Sequence, residues 1–221
     1  MVIRLKDKSF NHEAQKEIVI KRKAEKMERD FEESFRVGDT VMCGCDEVGR
    51  GPLAGPVIAA AVIFKQGAPL PEGLNDSKNL TEKKRERLYD EIIACALDWA
   101  VGEASAQEID EINILEASLL AMRRAIAALK VRPGLALIDG NQNRGFDLPA
   151  TAIVGGDAKC PSISAASIIA KVTRDRLMVR LDETYPGYGF AGHKGYPTAA
   201  HYAAIARLGP SEIHRRSFRL Y

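Results

Sequence analysis

The sequence predicts an α/β domain built on a mixed sheet, and two observations carry that reading. Five short, apolar-rich runs have the length of strands. Three of them come first, and the later ones alternate with stretches of helical periodicity, which is the order of an α/β chain. No internal repeat and no low-complexity tract interrupts the pattern.

Residues 1–38 stand apart, with ten Lys/Arg, eight Asp/Glu, one glycine and no proline. From about Glu13 to Phe35 they read as a charged helix with a thin apolar stripe, a solvated extension packed loosely on a main domain of residues 39–221. Gly38-Asp39 breaks the pattern. Val41 to Cys45 is a compact strand that leads into Asp46-Glu47. After Gly49-Arg50-Gly51-Pro52, a second strand runs from Pro56 to Phe64, and its unbroken apolar content predicts burial on both faces. A loop with Gly67, Pro69, Pro71 and Gly73 follows. Thr81 is placed to cap a helix to about Ala96, with Leu88, Ile92 and Ala96 on one face. Asp98 to Ser105 reads as the third strand. Asn113 can cap a second helix, whose inner face repeats as Leu115, Leu119, Met122, Ile126 and Leu129. Beyond Pro133-Gly134, the strand Leu135–Ile138 ends in Asp139-Gly140-Asn141. Thr151–Val154 ends in Gly155-Gly156-Asp157, and a long helix is predicted from near Ser162 or Ser164 to about Glu183.

Composition bounds the function. In 221 residues, 32 Lys/Arg against 30 Asp/Glu leave a net charge of +2. That excludes a histone-like polycation and an acidic disordered chain, but not a nucleic-acid partner. The longest uncharged run, Gly51 to Phe64, is too short to span a bilayer and contains Pro52 and Pro56. The amino terminus meets charge at once and has no signal-peptide pattern. A soluble, cytoplasmic protein with no membrane partner is expected. Cys43, Cys45, Cys95 and Cys160 form no C-x-x-C pair, and no histidine lies near them at zinc-ligand spacing. Cys43 and Cys45 read as buried thiols of one strand.

Three strands run straight into acids: Asp46-Glu47, Asp139 and, past two glycines, Asp157. A carboxylate at the exit of a buried strand is costly unless it is paired, hydrated or bound to a metal. Strand carboxyl ends are also where α/β sheets open their crevices. If these strands are parallel neighbours, all four acids converge. A pair of hard divalent cations, Mg²⁺ or Mn²⁺, would neutralise them. Two such ions clamp the attacking and leaving oxygens of a phosphodiester. Taken alone, Asp157 reads as a structural turn residue. Successive strand residues face opposite sides, so either the strand bends at Asp46-Glu47 or Glu47 contributes partly through its backbone carbonyl.

Gly49-Arg50-Gly51-Pro52-Leu53-Ala54-Gly55 fails as a dinucleotide fingerprint, because its third glycine comes one residue late and a strand follows it. No Walker A sequence occurs. What remains is a turn with uncovered backbone and an arginine beside two acids, suited to close approach by a sugar–phosphate chain.

The run from Cys45 to Val57, Cys-Asp-Glu-Val-Gly-Arg-Gly-Pro-Leu-Ala-Gly-Pro-Val, closely resembles the signature of bacterial ribonuclease HII, a type 2 ribonuclease H. The resemblance continues, in the family's order, through Leu74-Asn75-Asp76-Ser77-Lys78, Leu137-Ile138-Asp139-Gly140-Asn141 and the segments 164–175, 188–198 and 214–218. It implies a ribonuclease H-like fold, a five-stranded mixed sheet flanked by helices with a helical carboxy-terminal segment, which makes residues 39–221 the catalytic domain. It implies an endoribonuclease that cuts the RNA strand of RNA–DNA hybrids and nicks duplex DNA at embedded ribonucleotides, leaving 3′-hydroxyl and 5′-phosphate ends. The family's metal-binding acids map onto Asp46, Glu47, Asp139 and Asp157, with two Mg²⁺ or Mn²⁺ ions. Asp175 competes for the fourth place, but four residues after Lys171 on a helix it is better placed for an ion pair.

A choice of RNA over DNA requires a reader for the 2′-hydroxyl. The backbone of Gly49, Arg50 and Gly51 suits it, and Arg50 could hold a phosphate. The family matches Tyr196 to a tyrosine that packs beside the ribose; alone it could equally be a core aromatic. Lys78 is a candidate phosphate contact or a solvated loop lysine, as are His193 and Lys194. Residues 184–221 carry five Lys/Arg, one acid, five of six tyrosines and three of four histidines, a composition suited to a groove that tracks phosphates. The alternatives are another metal nuclease of the same fold (a ribonuclease HIII, a resolvase or an integrase) and a nucleic-acid binding module with a dead site. An extra amino-terminal domain of the ribonuclease HIII kind does not fit into residues 1–38. A monomer is expected. Because the chain stops soon after the His-Arg-Arg-Ser-Phe block, no clamp-binding tail is expected either.

Overall fold

The computed structural model describes residues 6–74 and 80–221. Helix α1 (Lys6–Glu33) precedes strands β1 (Met42–Val48) and β2 (Val57–Ile63), helix α2 (Glu82–Cys95) and strand β3 (Asp98–Ala104). Helix α3 (Ala106–Ala127), β4 (Leu135–Asp139), β5 (Ala150–Ile153) and α4 (Pro161–Thr184) follow, then the short α5 (Phe190–His193) and α6 (Ala199–Leu208). The strands lie in the order β3-β2-β1-β4-β5. β1, β2 and β3 form an antiparallel meander, and β4 and β5 continue the sheet parallel to β1. The sheet is mixed, as the sequence predicts.

Helices cover both faces. Cys43, Cys45, Val57, Ala59 and Ala61 pack under Leu119, Met122 and Ile126 of α3. Ile58, Ala60 and Val62 pack on the other side against Leu88 and Ile92 of α2 and Ile168 and Ile169 of α4. All seven residues of β2 are therefore buried, which is why its sequence does not alternate. A Cβ on Gly44 would sit 2.3 Å from the backbone of Ile163, so β1 and the first turn of α4 meet backbone to backbone. Burial pushes the Cys43 thiol up to about 12, so it serves as a small core residue and not as a nucleophile.

Several boundaries differ from the sequence reading. β1 continues through Asp46 and Glu47 to Val48, because β2 holds those residues in the ladder as Asp46↔Ala60, Glu47↔Ala59 and Val48↔Ile58. Helix α3 starts at Ala106 instead of beyond Asn113: Ser105 leaves the strand to form a capping box with Glu108. Asn113 (φ 67°) kinks that helix, and its side chain accepts from the amides of Leu115 and Glu116, capping the second half as predicted. Helix α4 begins at Pro161, whose missing amide costs nothing at the first helical position. Helix α1 begins at Lys6 and not near Glu13. Its far end is anchored: Glu32 accepts from the Ser162 amide at 2.9 Å, and Phe35, just beyond the helix, packs with Leu137, Ile153 and Ile163. No helix among the described residues is long and apolar enough to cross a membrane.

Candidate active site

The parallel pairing of β1 with β4 runs to Cys45↔Ile138, so Asp46 and Asp139 are the next residues out on adjacent strands. Beside them, β5 ends opposite Asp139 and turns through Gly155 and Gly156 into a single 3₁₀ turn that carries Asp157. The Gly156 amide donates to Asp139 Oδ1 at 2.7 Å, and the Asp157 amide approaches the same oxygen at 3.4 Å. Asp46 and Asp157 are buried, while Glu47 and Asp139 are partly so. The structure thus brings three strand ends to one mouth. Asp46 lies on the face covered by α4, with Ser167 of that helix beside it. Glu47 belongs to the opposite face of a regular strand, and its side chain pairs with Arg50 at 3.4 Å.

The charges oppose one another. Burial, then Glu47 and Asp139, push the Asp46 carboxyl well above the usual range. Burial also raises Glu47; Arg50 pulls it back and Asp139 pushes it further up. Like charges in a desolvated mouth favour protons or bound cations. The donors are all oxygen, which matches hard divalent ions. Among the described residues, no three Asp, Glu, His or Cys side chains are already grouped at metal-holding separations, so the match rests on donor chemistry and on charge.

Next to this mouth the loop from Gly49 to Pro56 is held from below by two buried arginines. Arg215 donates to the carbonyls of Gly49, Arg50 and Gly55, and Arg174 to those of Ala54, Pro56 and Lys194. A trans peptide that points its carbonyl at Arg215 points its amide the opposite way. The amides of Arg50 and Gly51, both exposed residues, therefore face away from Arg215. Gly49 has φ +96°, and a Cβ there would lie 2.3 Å from Arg174 Nε, so only glycine fits. Burial and the neighbouring guanidinium push Arg215 down from its ordinary value. The carbonyl dipoles ranged around it favour its charged form.

The remaining candidates divide clearly. Tyr196 sits over the loop: a Cβ on Gly51 would touch its ring edge at 3.8 Å, and the ring centre lies 5.9 Å from the Arg174 guanidinium and 6.0 Å from Lys171 Nζ. Asp175 forms the expected i,i+4 ion pair with Lys171 at 2.7 Å. His193 bonds to the Tyr188 carbonyl and the Gly195 amide, and the Lys194 ammonium donates to the Ala191 carbonyl. Lys78 lies outside the described residues. Sequence reasoning missed Ser167, Arg174 and Arg215. All three stood inside recognisable blocks, but no local pattern marks a serine or arginine as buried.

Two solved structures set the class. The ribonuclease HII of Archaeoglobus fulgidus, from a structure described as a PCNA:RNase HII complex, superposes with a TM-score of 0.70 at 27% identity, covering 82% of this chain and 96% of that one. The ribonuclease H2 from Pyrococcus horikoshii OT3 superposes with a TM-score of 0.66 at 29% identity, covering 81% and 94%. The fold is that of ribonuclease H-like enzymes. A narrower assignment follows from sequence. The family model for ribonuclease HII matches residues 43–221. A ribonuclease HII of Paracoccus denitrificans (strain Pd 1222) is 58% identical over 188 residues, which are 85% of this chain and 89% of that protein. The chain belongs to the ribonuclease HII family, whose members are hydrolytic endoribonucleases.

Proposed function

We propose that this enzyme cuts the RNA strand of RNA–DNA hybrids and nicks duplex DNA on the 5′ side of an embedded ribonucleotide, leaving 3′-hydroxyl and 5′-phosphate ends. The observation that supports this most is a juxtaposition. Asp46 and Asp139 stand side by side on two parallel strands, with Glu47 the residue after Asp46, beside a loop whose Arg50 and Gly51 amides face away from the arginine beneath it. Asp46, Glu47, Asp139 and Asp157 would hold two Mg²⁺ or Mn²⁺ ions. When bound, such a pair supplies Lewis acidity, acidifying the attacking water and stabilising the departing 3′-oxygen.

The chain's own groups do the rest. Asp46 is held by the Glu47 amide and Asp139 by the Gly156 amide, so their positions are set before any ligand arrives. Outward amides at Arg50 and Gly51 can donate to a 2′-hydroxyl, the group that separates RNA from DNA. Tyr196, against Gly51, can pack on the same ribose, and Arg50 and Lys78 are placed in sequence for flanking phosphates. No covalent intermediate is needed, since water attacks directly.

The test is cleavage of an end-labelled RNA–DNA hybrid beside an all-DNA duplex, each with Mg²⁺, with Mn²⁺ and with chelator. Metal-dependent cutting confined to the RNA strand is expected. Equal cutting of the all-DNA duplex, or undiminished cutting in chelator, contradicts the reading.

A further inference from the structure

Three of the four histidines, His193, His201 and His214, meet in one cluster behind the tyrosine loop, and the catalytic reading uses none of them. His193 stacks on His201 with ring centres 4.3 Å apart, and Phe190 packs against all three rings. His201 and His214 are fully enclosed, with their Nε2 atoms 3.1 Å apart. Two neutral rings in that contact share a single proton, so one must donate and the other accept.

The outer nitrogens decide which. His214 Nδ1 faces the Ser211 amide at 2.9 Å and the Ser211 hydroxyl at 2.8 Å. An amide can only donate, so His214 Nδ1 accepts and its proton sits on Nε2. His201 Nδ1 faces the Tyr196 carbonyl at 3.0 Å. A carbonyl can only accept, so His201 carries its proton on Nδ1 and leaves Nε2 bare to receive from His214. Both assignments follow from fixed backbone groups and agree with each other at the shared contact. Burial, then the neighbouring His201, pushes His214 down to about 4, and burial lowers His201. Both rings are thus neutral near neutral pH.

We propose that His214 and His201 form a directional hydrogen-bond relay, from the Ser211 amide to the Tyr196 carbonyl, that positions Tyr196 over the Gly49–Gly51 turn. The relay ties together three segments that must keep register. His214 bridges Ala54 of the glycine loop, Leu53 donates to the Gly195 carbonyl, and Arg215, the next residue, holds that loop from below. The Thr198 amide also donates to the Tyr196 carbonyl, and the Tyr196 amide to that of His193. Among the described residues, His201 adds the one side-chain hydrogen bond to this carbonyl. His201 and His214 are positioning residues on this account, acting through Tyr196. The inference rests on the ribose-packing role given to Tyr196 above.

Nitrogen NMR of the full-length ¹⁵N-labelled chain tests the relay without reference to cleavage. The expected result is His214 protonated on Nε2, His201 protonated on Nδ1, and a scalar coupling between the two Nε2 atoms. His201 protonated on Nε2, or no coupling, overturns the relay. Single-turnover cleavage of a duplex with one ribonucleotide then tests its purpose. His201→Leu should slow cutting roughly tenfold or more while substrate affinity stays within about twofold. His201→Asn, which keeps a donor near the place of Nδ1, should recover most of the loss. Adding His201→Leu to Tyr196→Ala should cost nothing further, and additive losses overturn the action through Tyr196. If Tyr196→Ala cuts like the wild type, the role given to Tyr196 fails, and the NMR result alone decides the relay.

Discussion

Asp46 sits where a carboxylate is most expensive. It is buried, two other acids repel its charge, and its hydrogen bond from the Glu47 amide comes from a neutral donor. Its folded-state pKa is raised above the unfolded value, and so is that of Glu47. The sign follows from linkage: their stabilising contribution is complete below the ordinary carboxylate range and is lost as pH rises through the raised values. In chelator at neutral pH, Asp46→Asn should therefore raise the melting temperature, by about 2–4 °C for each kcal/mol of relieved repulsion. The gain should vanish in acid, where Asp46 is protonated anyway. A lower melting temperature for the variant at neutral pH would show that the charge is compensated. The same variant, and Asp139→Asn, should slow cleavage by three orders of magnitude or more, about 4 kcal/mol in the barrier, with binding retained. Asp157→Asn should behave alike, while Asp175→Asn, which only breaks the Lys171 pair, stays within about twofold; the opposite ranking in single-turnover rates would move the fourth acid to Asp175.

At the scale of elements, the sheet puts the acids together and the helices fix their surroundings. Helix α4 packs flush on β1, bringing Ser167 to Asp46 and Arg174 under the glycine loop. Most of this was readable. Apolar runs that end in acids located β1, β4 and β5, and the glycine spacing located the turn. Other features were ambiguous for physical reasons. Ser105 closes an apolar run and opens a capping box with Glu108, and only the three-dimensional path decides between the two. Arg215 reaches the Gly49 carbonyl across 166 residues of sequence, so its burial has no local signature. The histidine cluster is hidden for the same reason. The capping box makes its own prediction: Ser105→Ala should cost about 1 kcal/mol in chemical denaturation with activity unchanged. A cost near zero would mean that α3 is held by packing alone.

For the whole molecule, a net charge of +2 conceals a division of labour. Acids gather at the strand ends, whereas residues 184–221 sum to +4 and carry most of the tyrosines. The two parts meet at the glycine loop, held by Arg174 and Arg215 beneath and overlaid by Tyr196. On the proposed reading, a metal-bound mouth beside a phosphate-tracking surface would define where one strand lies and which bond is exposed. The most direct measurement is nucleotide-resolution mapping of the cut in duplex DNA with a single ribonucleotide, with Mg²⁺ or Mn²⁺ supplied and Asp139→Asn in parallel. A single nick 5′ to the ribonucleotide, with 3′-hydroxyl and 5′-phosphate ends and none from the variant, is the predicted result. Cuts scattered along the DNA, a nick with a 3′-phosphate end, or undiminished cutting by Asp139→Asn would contradict it.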